Sequence, residues 1–137
     1  MLPPAAYTSA AVFAWEREHF FGGGWTCAGH AAQLPTAGDQ IAVGAGAGSA
    51  LLVRGDDGKL RAFANTCKHR GHELLPYGGP AGQGKAANAR AIICPYHSWA
   101  YTLKGELRGA PGYRDLDAGE WSLRELRRRA AASGALS

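Results

Sequence analysis

No apolar run in this chain approaches the roughly 18 residues that a bilayer-spanning helix requires. Residues 1–7 also lack the basic flank and apolar core of a signal peptide. A soluble cytoplasmic location, with no membrane partner, is therefore expected. Cysteine is scarce: Cys27, Cys67 and Cys94 are the three in 137 residues. If two of them bind a metal, no internal disulfide can form, in keeping with a reducing compartment. Charge is sparse at 19% against 46% apolar residues, a balance that excludes wholesale disorder. The net charge of +4 is concentrated near Arg124, Arg127, Arg128 and Arg129. No aromatic residues interleave with these arginines in a base-stacking stripe, so a solvated face is expected and nucleic acid is not. Solenoid-type repeats are absent as well.

What the chain has in abundance is glycine, with twenty residues. Such a content suits short strands, tight turns and backbone folded closely around a cofactor. The length predicts one domain with a real core.

The local signals divide the chain. Thr8 or Ser9 can cap a helix running through Phe13, Trp15 and Phe20 to the Gly22-Gly23-Gly24 stop. Val12, Phe13, Trp15 and Phe20 fall on one broad apolar arc and are expected to pack inward, while His19 is expected to be partly exposed. Trp25 to Cys27 reads as a short strand, with Cys27 a small core residue and His30 in a loop. From Asp39 onward strands dominate: Ile41 and Val43 alternate, Leu51-Leu52-Val53 forms a short buried run, and Asp56-Asp57-Gly58 turns the chain back through Leu60, Ala62 and Ala64. Gly78 to Ala89 has no periodicity and reads as a surface loop. Ala91-Ile92-Ile93 is a further strand, and Trp99 to Leu107 a further hairpin turning at Lys104-Gly105. Residues from Trp121 to Ala132 are helix-compatible by propensity, although the Arg/Ala-rich end has no convincing apolar face.

Two runs carry the chemistry. Cys67-Lys68-His69-Arg70-Gly71 and Cys94-Pro95-Tyr96-His97-Ser98-Trp99 each supply one thiolate and one imidazole at the tip of a strand–loop–strand unit. Four such ligands can hold a tetrahedral zinc. They can equally hold a [2Fe–2S] cluster, with two cysteines on one iron and two histidines on the other. The ligand count does not choose between these. Cys27 and His30 share the Cys-x-x-His spacing but are set aside as a decoy, because positions three apart on a strand face opposite sides.

The flanking residues do choose. Cys-x-His-Arg-Gly followed by Cys-Pro-Tyr-His-x-Trp resembles the Rieske [2Fe–2S] domain of ring-hydroxylating, non-haem iron oxygenase large (alpha) subunits. The likeness extends over the aromatic opening helix, Trp25, Leu52-Val53-Arg54 to Asp57-Gly58, Ala62-Phe63-Ala64-Asn65 and Tyr101 to Leu107, roughly residues 7 to 126. It implies a mainly β fold, an antiparallel β-sandwich or barrel with two cluster-binding loops behind a short N-terminal α-helix. The implied division is residues 1–24 for the helical segment, 25–120 for the Rieske domain, and 121–137 for a C-terminal helix or disordered tail where a catalytic domain would begin. It also implies that Cys67 and Cys94 bind one iron and His69 and His97 the other. Arg70, His72, Tyr96 and Trp99 are expected around them, with Trp99 and Tyr96 packing over the cluster.

Two departures stand out. Arg70 to Ile93 puts 24 residues between the first histidine and the second cysteine, longer than is usual in the family. Loop-closure entropy makes that extension cost only about 0.3 kcal/mol. Ser98 stands where glycine is commoner, and it is tolerable only if the backbone there has no need of a positive φ. Respiratory-type Rieske proteins carry a disulfide pair and a serine at the positions of His72, Tyr96 and Trp99. Without them, the potential is expected toward the low end of the roughly −150 to +300 mV Rieske range.

The resemblance implies electron entry from a ferredoxin or flavin reductase. Delivery is to a mononuclear non-haem Fe(II) in an oxygenase catalytic domain, usually of the neighbouring subunit, held by two histidines and a carboxylate. Only His19, His30 and His72 remain here after the cluster, in no such spacing. The expectation is therefore an electron-carrying part of an oxygenase, shortened before its catalytic domain. A stand-alone Rieske ferredoxin and a structural zinc domain are the alternatives.

Overall fold

The computed structural model describes residues 1–46, 48–77 and 87–127. Among the described residues, seven strands form two antiparallel sheets. β1 (Asp39–Ala45), β2 (Gly48–Arg54), β3 (Leu60–Ala64) and β4 (Ala87–Asn88) make one, in the order β3-β2-β1-β4. β5 (Ile92–Ile93), β6 (Ala100–Tyr101) and β7 (Leu107–Gly109) make the other, in chain order. The sheets pack as a sandwich and do not close into a barrel.

The period-two pattern of β2 explains the layering. Leu51 and Val53 face one core with Phe63, Ile92, Trp99, Tyr101 and Leu103, contributed by both sheets. Ala50 and Leu52 face the other way, toward a smaller cluster with Leu34, Ile41 and Val43. The expected hairpin joins β2 to β3, with Arg54 opposite Leu60 and Gly58 at φ 73°. Arg61 and Asp57 clasp that turn through two hydrogen bonds, of 2.9 and 2.8 Å. Gly105, at φ 86°, turns β6 into β7, and a Cβ there would collide with the Phe63 ring.

Four sequence expectations fail for tertiary reasons. Ser9 does cap a helix, α2 (Ala10–Glu16), after the single turn α1 (Ala5–Thr8), and one π-helical turn carries it on to Gly22. The aromatic arc does not pack inward, however: Phe13, Trp15 and Phe20 are each more than half exposed. The helical segment lies outside both cores, so amphipathicity alone did not give it a partner. Trp25 to Cys27 forms no strand, and Cys27 is exposed rather than a core residue.

Residues 121–127 are turn and extended backbone rather than helix. Ala64 N–H donates to the Arg124 carbonyl and Leu126 N–H to the Ala62 carbonyl, with Phe63 paired to Glu125. This segment thus lines the free edge of β3 and buries Leu123, a gain that outweighs helix propensity. The remainder of the expected tail, and most of the expected Gly78 to Ala89 loop, lie outside the described residues.

Candidate metal centre

The two ligand loops are built alike. In the first, the Cys67 carbonyl accepts from Gly71 N–H at 2.9 Å, and Cys67 N–H donates to the His72 carbonyl at 2.8 Å. In the second, the Cys94 carbonyl accepts from Ser98 N–H at 3.0 Å, and Cys94 N–H donates to the Trp99 carbonyl at 2.8 Å. Each cysteine therefore starts a turn closed four and five residues later, and the fifth residue of each turn takes a positive φ. That residue is Gly71 at 72° in one loop and Ser98 at 58° in the other. The condition under which serine is tolerated without strain is not met, and Ser98 carries a left-handed backbone.

Supports beneath the loops fix their positions. Asn65, buried to 2% exposure, donates to the Leu75 carbonyl at 2.7 Å and accepts from Leu75 N–H at 3.0 Å. These two bonds clamp the base of the first loop. The short β5–β6 ladder holds the second loop by pairing Ile92 with Tyr101 and Ile93 with Ala100.

The four candidate ligands divide by environment. Cys67 and Cys94 sit in the larger core, each at most 2% exposed, with their thiols side by side. The His69 and His97 rings meet at the surface, with centroids 4.9 Å apart and planes at 64°. Among the described residues, no three His, Cys, Asp or Glu groups converge as ligands of one metal ion would. A buried sulfur pair beside a surface nitrogen pair fits a two-iron cluster better than a single tetrahedral zinc.

Electrostatics suits a bound metal without choosing between the two. Burial pushes the Cys67 thiol above its ordinary value, and the neighbouring Cys94 adds to this, whereas hydrogen bonds from Tyr101 and the backbone offset part of it. Thiolates in such a place need a cation bound to them. Burial also lowers the pKa of His69, with further contributions from His97 and Arg70, which favours the neutral, metal-binding imidazole.

The surrounding residues sort unevenly. Trp99 is buried and stacks on His69, centroids 4.8 Å apart and planes at 2°. Its indole Nε1 has no hydrogen-bond partner among the described residues. Tyr96, by contrast, does not cover a buried site: it is 54% exposed, its ring 3.7 Å from His97. Arg70 and His72 are exposed, and His72 Nδ1 bonds to the Glu73 carbonyl at 2.7 Å.

Two tyrosines escaped the sequence reading. The Tyr101 hydroxyl lies 3.2 Å from Cys67 Sγ and accepts from Lys68 N–H at 3.2 Å. Alternation on β6 was the available signal, since Trp99 and Tyr101 must share one face. The Tyr113 hydroxyl lies 3.0 Å from His69 Nε2, across 44 residues of sequence.

Comparison with known proteins settles the family. The model of the Rieske [2Fe-2S] domain matches residues 24–120. This chain belongs to that family. It is 43% identical over 109 residues to the carnitine monooxygenase oxygenase subunit of Escherichia coli (strain K12), an overlap of 80% of this chain and 27% of that protein. It is 36% identical over 110 residues to the biphenyl 2,3-dioxygenase alpha subunit of Rhodococcus jostii (strain RHA1), covering 80% of this chain and 22% of that one. Naphthalene 1,2-dioxygenase from a Rhodococcus species, solved with indole bound, superposes with a TM-score of 0.83 at 28% identity, covering 97% of this chain and 30% of that one. The chain thus spans about a quarter of the length of the curated relatives it matches. The cofactor of the family is the [2Fe–2S] cluster, and the paired thiols and imidazoles fit it.

Proposed function

We propose that this Rieske domain carries single electrons, with Cys67 and Cys94 holding one iron and His69 and His97 the other. The observation that carries the reading is the matched pair of loops, which buries both sulfurs and brings both imidazoles to the surface. When bound there, a [2Fe–2S] cluster supplies a one-electron couple. The protein contributes the rest. Trp99 and the core exclude water from the thiolate side, Tyr101 bonds to the Cys67 sulfur, and the half-buried His69 and exposed His97 form the face through which a partner makes contact.

On this reading the domain serves a Rieske oxygenase large subunit. Electrons enter from a ferredoxin or flavin reductase and leave for a mononuclear iron domain of the same longer polypeptide or a neighbouring subunit. The aromatic surface of residues 7–25 supports this over a free-standing carrier, since a lone carrier has no use for Phe13, Trp15 and Phe20 in solvent.

Ligand substitution tests the assignment. Anaerobic reconstitution of Cys27→Ser is expected to give the iron and acid-labile sulfide content of the parent chain, in equal amounts. Cys94→Ser and His97→Ala are expected to lose both. Retention by Cys94→Ser, or a colourless zinc form of the parent, would overturn it.

A further inference from the structure

Resting on that reading, the geometry points to Tyr113 as a positioning residue that holds the His69 imidazole and makes the two histidines of the centre inequivalent. The turn that presents it is written in the sequence. Tyr113 N–H donates to the Ala110 carbonyl at 3.0 Å across Pro111-Gly112, with Gly112 at φ 85°. Proline then glycine at the two central positions is the composition of a type II turn. It swings residue 113 back from the end of β7 onto the first ligand loop.

There Tyr113 does two things. Its hydroxyl occupies His69 Nε2 at 3.0 Å, which leaves Nδ1 as the nitrogen available to iron. Its ring meets the His69 ring edge-on, centroids 5.3 Å apart at 75°, and meets Trp99 at 5.4 Å and 77°. His69 is thus stacked on Trp99 on one side and held by Tyr113 at its outer nitrogen. His97 has no such holder. It touches the Tyr96 and His69 rings but makes no hydrogen bond among the described residues.

The consequence is electronic as well as steric. A neutral imidazole bound through Nδ1 carries its proton on Nε2, so His69 donates to the tyrosine oxygen. That bond enriches the ring in electron density and favours the oxidised centre. Removing it should raise the midpoint potential.

The test is Tyr113→Phe in the cluster-loaded chain, which keeps the ring and removes the hydroxyl. Tyr113 is 48% exposed, so the substitution leaves the core untouched. Pulsed EPR of the reduced protein resolves the remote nitrogens of the two imidazoles. The expected result is a changed signal from one of them, an unchanged signal from the other, and a raised midpoint potential. Tyr7→Phe, an exposed tyrosine on the N-terminal helical segment, should change neither. Unchanged nitrogens and an unchanged potential in Tyr113→Phe would overturn the inference.

If the parent chain takes up no cluster, the ligand assignment fails but the hydrogen bond can still be read. In ¹⁵N-histidine NMR of the metal-free chain, Tyr113→Phe is then expected to shift His69 Nε2 alone. No shift there would overturn the role of Tyr113.

Discussion

Ser98 offers a quantitative test of how the ligand loops are built. It occupies the same place in the second loop that Gly71 occupies in the first, closing a turn onto the cysteine carbonyl at φ 58°. A left-handed backbone costs an L-residue roughly 1–2 kcal/mol. Ser98 is exposed and its side chain makes no hydrogen bond among the described residues, so Ser98→Gly sacrifices no contact. The greater freedom of glycine in the unfolded chain offsets about 0.4–1 kcal/mol of the gain. The net expectation is a stabilisation of about 0.5–1 kcal/mol. Gly71→Ala is the mirror experiment. A Cβ at Gly71 would meet nothing within 4 Å, so its whole effect in the folded state comes from φ 72°. With the same unfolded-state offset applied in reverse, it should destabilise by about 0.5–1 kcal/mol. Urea unfolding followed by tryptophan fluorescence measures both. With a slope of about 1–3 kcal/mol per molar urea, the midpoint should rise by a few tenths molar for Ser98→Gly and fall by a similar amount for Gly71→Ala, with the slope unchanged. A destabilised Ser98→Gly together with a neutral Gly71→Ala would refute the shared turn geometry.

Three further outcomes follow from the centre. Tyr101→Phe removes the hydroxyl beside Cys67 Sγ; a bond to sulfur worth about 1 kcal/mol in the reduced state corresponds to roughly 40 mV for one electron, so redox titration should show a fall of that order. In the metal-free chain the raised Cys67 pKa means that the folded state keeps a proton the unfolded state releases. Stability from this source is complete below the ordinary cysteine value of 9.0 and is lost as pH rises beyond it, so urea midpoints should decline above pH 9, and a midpoint rising there would contradict the burial argument. Trp99→Ala empties a site that is 1% exposed and removes the floor under His69, for a loss of about 3–5 kcal/mol by chemical denaturation.

Much of the centre was legible because it is local. A cysteine and a histidine two or three residues apart at a loop tip need no tertiary information to be read as ligands, and the same holds for the Asp56-Asp57-Gly58 turn. What the sequence withheld depends on distant neighbours. Phe13, Trp15 and Phe20 have the spacing of a buried helix face, but they belong to neither core and each stays more than half exposed. The segment around Leu123 follows the edge of β3 instead of its own helix propensity. Tyr113 reaches His69 only because Pro111-Gly112 reverses the chain, a local signal whose target lies 44 residues away. Ser98 was flagged by its place in the motif, and only the backbone showed that it bears the positive φ.

The most direct test of the account is Mössbauer spectroscopy of the chain reconstituted with ⁵⁷Fe and sulfide. Two sulfur ligands on one iron and two nitrogen ligands on the other predict two inequivalent iron sites of equal area, with the added electron localised on the histidine-bound iron after reduction. A single kind of iron site, or a chain that takes up zinc and no iron, would contradict it.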